Sequence, residues 1–155
     1  MSDIFSNDRT FQDLGLSDKV LEGITAAGFE RPTEIQAELI PVILGGKDVI
    51  GQAKTGTGKT ASFGLPILSM ADPEVGQQAL ILGPTRELAI QIAAELRELG
   101  KSTGIEVACI VGGESMRGQQ RELEKGANIL VGTPGRLGYG KPRPDLVRRH
   151  QVRLP

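Results

Sequence analysis

Residues 78–83 (QALILG), 106–112 (EVACIVG) and 128–132 (NILVG) are short apolar runs of strand length, and each closes on a glycine. Between the first two, residues 86–99 set Leu88, Ile92, Leu96 and Leu99 on one helical face; between the last two, 115–125 is a polar stretch with helical character. Apolar runs that alternate with helices need cover on both faces, and a parallel sheet between helical layers supplies it. The expected fold class is therefore α/β, a parallel sheet with helices on both faces. Ligands are expected at the carboxyl ends of its strands.

Upstream, Val20, Leu21, Ile24 and Ala27 fall at helical spacing behind a Ser17 cap, and Gly28 follows as a stop. A second helix begins after Pro32 with Thr33 as its cap, and Pro41 is expected to kink it. DVIGQ (48–52) reads as a short buried strand that runs into a glycine loop, and KTASFGLPILSM continues as a helix.

The glycine loop, AKTGTGKT at 53–60, carries the chemistry. A glycine-rich turn between a strand and a helix lets backbone N–H groups converge on phosphate oxygens, and the helix N-terminus adds partial positive charge. Lys59 would neutralise the β- and γ-phosphates, and the Thr60 hydroxyl would ligate Mg²⁺. Ala53 stands where the general P-loop pattern has glycine. Ahead of the loop, Gln36 has two readings. Thr33 and Gln36 form a capping box, and the same amide could read a nucleobase; its donor and acceptor leave room for both.

Composition narrows the class. The chain has 155 residues, 39% hydrophobic and 24% charged, as expected of one soluble domain. The single Cys109 excludes an internal disulfide and reads as a small buried apolar residue. The start of the sequence lacks a basic stretch before an apolar run, and no run is long enough for a membrane span, so a cytoplasmic protein is expected. The net charge of −1 divides unevenly: residues 138–155 sum to +4, from Lys141, Arg143, Arg148, Arg149 and Arg153 against Asp145, which leaves −5 elsewhere.

Four stretches in order resemble the amino-terminal, RecA-like lobe of a DEAD-box RNA helicase. Phe11 followed by GFERPTEIQ (28–36) resembles the adenine-reading Q motif. AKTGTGKT (53–60) resembles motif I, where alanine in first place is usual. PTRELAIQ (84–91), followed by Gly112–Gly113, resembles motif Ia, and TPGRL (133–137) resembles motif Ib. The resemblance covers about 10–137 and implies a residue-level assignment. Gln36, Phe29 and Phe11 would hold the adenine of ATP. Ala53, Lys54, Thr55, Gly56, Thr57, Gly58, Lys59 and Thr60 would take its phosphates and Mg²⁺, with Lys59 and Thr60 as the catalytic members. Thr85, Arg86, Gly113, Thr133 and Arg136 would touch the RNA sugar–phosphate backbone, a contact with little sequence information. Read without the resemblance, those last sites are also ordinary turns and caps, with Pro84 and Pro134 suited to first helical positions.

The resemblance stops short of a complete machine. An acid that holds Mg²⁺ should end a buried strand after the loop, yet the three strands run into Gly-Pro-Thr, Gly-Gly and Gly-Thr-Pro. Neither DEAD nor SAT occurs, and nothing corresponds to a second lobe. The layout is a Q-motif region over 1–46, a partial ATP-binding domain over 47–137 and a basic Pro/Gly/Arg-rich tail over 138–155, read as out-of-frame sequence. Its rival reading is a genuine tail that binds nucleic acid non-specifically. The expected function is that of a truncated ATP-dependent RNA helicase limited to weak ATP and RNA binding. Alternatives are a non-catalytic nucleic-acid-binding module or another P-loop NTPase or kinase, although no Asn-Lys-x-Asp guanine reader is present. An unpaired sheet edge is expected beside NILVG.

Overall fold

A computed structural model describes residues 4–54 and 56–138. Of the tail assigned to 138–155, residues 139–155, including His150, lie outside the described residues. The chain divides into two compact units, one built from 1–70 with 98–104 and the other from 71–97 with 105–155.

The first unit is helical. A 3-10 turn, Phe11–Leu14, precedes α1 (Asp18–Ala26), α2 (Glu34–Leu44) and α3 (Lys59–Met70). Thr10 opens the turn by donating its amide and hydroxyl to the Asp13 carboxylate at 2.8 and 2.7 Å, which holds that carboxyl below its usual pKa. Helices α2 and α3 pack together, and Phe11, Leu14, Val20, Ile24, Ile40, Leu65 and Leu68 are buried. α2 continues through Pro41 to Leu44. Proline there denies the Ala37 carbonyl its usual partner four residues on, and the Arg9 guanidinium donates to that carbonyl at 2.8 Å instead.

The stretch 48–52 is not the strand its composition suggested. Among the described residues nothing pairs with it, and Ile50 is fully exposed. Gly51 instead lies against the Leu39 side chain of α2. Strand propensity reports fit to a pleated surface, and without a ladder partner Val49 and Ile50 cannot hold a strand.

The second unit is the sheet. β1 (Ala79–Leu82), β2 (Val107–Ile110) and β3 (Ile129–Gly132) are all parallel, in the order β1-β3-β2. The β3 strand is thus central, with both edges paired, which overturns the expected open edge beside NILVG; the outer strands are β1 and β2. β3 and β2 are the more buried, whereas Leu80 and Leu82 of β1 are exposed.

Helices α4 (Arg86–Leu99), α5 (Met116–Glu124) and α6 (Pro134–Leu137) follow the three strands in turn. On α4 the buried face is Ala89, Ile92, Ala93, Leu96 and Leu99, while Leu88 is exposed. Leu88 meets the spacing rule but sits in the first turn, just outside the buried stripe. Asn128, buried at the entry to β3, ties two segments to that strand. Its carbonyl oxygen accepts the Glu106 N–H at 2.7 Å, and its amide donates to the Val75 and Pro73 carbonyls at 2.6 and 3.2 Å. Cys109 on β2 is half-buried, and desolvation raises its thiol pKa, so it stays a neutral thiol.

Candidate functional site

Two groups of residues stand out, one in each unit. In the first unit the start of α2 meets the glycine loop that opens α3. Gln36 is 1% exposed and uses both ends of its amide. Its oxygen accepts the Thr33 N–H at 2.9 Å, which is the helix cap read from the sequence. Its nitrogen donates to the Gly58 carbonyl of the glycine loop at 3.1 Å. Thr33 adds a second tie, its hydroxyl donating to the Thr57 carbonyl at 2.9 Å. One lone pair and one N–H of the Gln36 amide remain unspent in these bonds. An amide with both can pair with the N6 and N7 edge of adenine.

The loop bends where glycine is needed. Gly56 and Gly58 have φ of +80° and +74°, in the left-handed region. Thr57 donates its hydroxyl to the Lys54 carbonyl at 2.8 Å, and the Lys59 ammonium donates to the Ala53 carbonyl at 2.7 Å. Lys59 therefore lies folded over its own loop. Thr60, in the first turn of α3, is half-buried; Thr55 lies outside the described residues.

A cavity of roughly 490 Å³ adjoins this loop, lined by Ile4, Phe5, Ala27, Gly28, Phe29, Glu30, Arg31, Thr33, Gln36, Gly56 and Gly58. Phe29 and Gln36 thus meet the glycine loop at one cavity. Phe11 is not among the lining residues. It is 2% exposed and packs edge-on against Phe29, with ring centroids 6.5 Å apart. Ile4 and Phe5 line the cavity without any sequence signal, because a residue far upstream of a motif reaches a pocket only through tertiary contact.

Among the described residues no group of three or more His, Cys, Asp or Glu could hold a metal ion. Mg²⁺ is ordinarily held by one or two carboxylates plus phosphate oxygens. Thr60 in the first turn of α3 offers a hydroxyl and no carboxylate, so the residues fit Mg²⁺ only as a companion of a triphosphate.

In the second unit, the loops after β1, β2 and β3 all leave the same end of the sheet because the strands are parallel. Thr85 caps α4, its hydroxyl accepting the Leu88 N–H at 3.2 Å. Arg86 lies over Gly113, whose φ is +83°; a Cβ there would overlap the Arg86 guanidinium. Arg136 donates through Nη2 to the Glu114 carbonyl at 2.9 Å and through Nε to Gln119 Oε1 at 3.1 Å. Thr133 precedes α6, and its N–H donates to the Ile110 carbonyl at 3.3 Å. The loop at 112–114 therefore sits against two guanidinium groups from separate parts of the sequence. Pro134 takes the first position of α6, as the plain reading held, but Pro84 does not open α4, because Thr85 is the cap and the helix starts at Arg86; the arginines converge as well.

Gln119 had no signal in the sequence. It is 6% exposed on an otherwise polar helix, and its amide donates to the Val111 carbonyl at 2.7 Å while its oxygen holds Arg136.

A parallel α/β unit with arginines at the strand ends, together in one chain with a unit whose glycine loop opens a helix, defines the class: a RecA-like P-loop protein. The DEAD/DEAH box helicase family model matches residues 33–150, well over half of the chain, and the chain belongs to that family. It is 51% identical over 145 residues to the ATP-dependent RNA helicase CshA of Limosilactobacillus reuteri, a match that spans 93% of this chain and 28% of that protein. The crystal structure of a DEAD box protein from the hyperthermophile Methanococcus jannaschii aligns at TM-score 0.79 and 45% identity, over 83% of this chain and 36% of that one. Dbp5 of S. cerevisiae bound to RNA and ADP BeF3 aligns at 0.77 and 38% identity, over 90% and 34%. The chain thus spans about a quarter to a third of the proteins it matches. No helix among the described residues is long and apolar enough to cross a membrane.

Proposed function

We propose that this chain binds ATP through the α2–glycine-loop site, touches RNA through the loops after β1, β2 and β3, and is part of a cytoplasmic ATP-dependent RNA helicase that separates short duplexes. The observation that carries the reading is Gln36, which joins the base cavity to the phosphate loop through one amide. Adenine would be read by the amide's remaining donor and acceptor, with Phe29 against the ring. The loop amides and Lys59 would take the phosphates, and Thr60 would share Mg²⁺ with them. Without an acid at the ends of β1, β2 or β3, these 155 residues have no evident means of orienting water or cleaving the γ-phosphate bond. Calorimetric titration with a non-hydrolysable ATP analogue and Mg²⁺ should show weak binding that favours adenine over guanine, and RNA should stimulate no phosphate release. Equal affinity for the guanine analogue, or measurable RNA-stimulated hydrolysis, would overturn this reading.

A non-catalytic nucleic-acid-binding module is a second reading, favoured by the two arginines at one loop. Contacts to phosphate carry a salt dependence, so the two kinds of residue at that loop are separable. Arg136→Ala should weaken binding to single-stranded RNA and reduce the log–log salt slope by about 1. Gln119→Leu leaves the charge but removes its holder, a loss of roughly 1 kcal/mol and about fivefold in affinity, with the slope unchanged. Filter binding across a salt series checks both; unchanged affinity in the two variants removes RNA contact from this loop.

A further inference from the structure

We propose that Phe5 supplies an aromatic wall of the base cavity and packs against the purine ring of a bound adenine nucleotide. The inference rests on the nucleotide-binding reading above and adds to it a residue that lies ahead of the family match, which begins at 33.

Residues 4–6 form a strap tied to the start of α2. The Ser6 N–H donates to the Pro32 carbonyl at 2.9 Å, and the Glu34 N–H donates to the Ile4 carbonyl at 3.0 Å. Phe5 and Thr33 thereby form an isolated antiparallel bridge. The Arg31 guanidinium secures the strap further, donating to the Ser6 carbonyl and to Asn7 Oδ1. Residues directly opposed in an antiparallel pair send their side chains to the same side. Thr33 lines the cavity, and so does Phe5.

Phe5 is nonetheless 41% exposed. A residue with this exposure, on a strap held by three hydrogen-bonded anchors, gains burial when a flat apolar surface enters the cavity. Gln36 meets only the edge of a base, so the ring faces need other partners. Phe11 has no face to give, because it is buried against Phe29. Stacking on an aromatic is tolerant of base identity. Phe5 therefore adds affinity for the nucleotide, while the choice of adenine stays with Gln36.

The chain has no tryptophan, so Phe5→Trp introduces a single indole. Adenosine monophosphate, and ATP with Mg²⁺, should quench its fluorescence with the dissociation constants that calorimetry gives for the unaltered chain. Phe5→Ala should weaken both ligands by the same factor, about tenfold, and leave the preference for adenine over guanine as it was. If the unaltered chain binds both ligands while the indole stays silent and Phe5→Ala binds as tightly, the Phe5 inference is overturned and the nucleotide reading stands. A loss confined to ATP would put the effect at the phosphates and overturn it too. Absence of binding by the unaltered chain sinks both. Should Phe5→Ala melt early, Phe5→Leu keeps the apolar bulk without the ring, and the indole titration decides the matter by itself.

Discussion

A Gly58→Ala chain is expected to hold adenine nucleotides roughly 30- to 150-fold more weakly than the natural sequence, with little change in its melting temperature. At φ +74° a Cβ would lie 2.3 Å from Gln36 Nε2 and 3.8 Å from Thr33 Oγ1. The left-handed backbone alone costs an L-residue about 1–2 kcal/mol. The Gln36 amide must also swing away, which breaks its bond to the Gly58 carbonyl and disturbs the Thr33 cap. One such hydrogen bond contributes about 1 kcal/mol. The neighbour is the far end of the flexible Gln36 side chain, and Gly58 itself lies half-exposed in its loop, so the loop can relieve the strain by changing shape. The loss then falls on affinity rather than on folding. Titration of the variant with an ATP analogue tests it; affinity within threefold of the natural chain would show that the loop does not need this bend.

Gly23→Ala should act on stability instead, and in the direction opposite to helix propensity. Alanine inside a helix is ordinarily better than glycine by about 1 kcal/mol. In α1, however, a Cβ at residue 23 would lie 2.0 Å from the Leu99 carbonyl oxygen and 3.0 Å from its carbon. Both are backbone atoms in the same unit, so no rotamer change relieves the overlap and the segments must separate. Overpacking of this kind costs about 3 kcal/mol, which lowers the melting temperature by roughly 10 °C in a chain of this size. Gly118→Ala in α5 is the control. Its nearest neighbour would be the Ser115 Cβ at 3.9 Å, an ordinary contact, and it should be neutral or slightly stabilising. Circular dichroism melts of the pair check this; equal midpoints would mean α1 and Leu99 are not in contact.

The two glycines also show where local reading stops. Gly58 was marked by its place in the loop pattern, since a turn that converges amides on phosphate needs a residue free of Cβ. Gly23 carried no mark, because its reason is a carbonyl more than seventy positions away in the chain.

The same division runs through the rest of the molecule. Periodicity, caps and turn residues are properties of neighbours in sequence. They specified the three strands that form, the helices that follow them, the glycine loop at the head of α3, and the Thr33–Gln36 cap. They also implied a parallel sheet, because helices intervene between strands. Contacts between distant residues settled what those signals left open. Pairing put β3 at the centre of the sheet and left 48–52 without a ladder, though its residues favour a strand. Packing hid Phe11 behind Phe29 and brought Phe5 to the cavity; it also joined Gln119 to Arg136 and Gln36 to the glycine loop. A residue's neighbours along the chain determine the shape it can adopt, but a site is made of groups that meet only after folding, and their meeting depends on burial and hydrogen-bond partners that no short stretch contains.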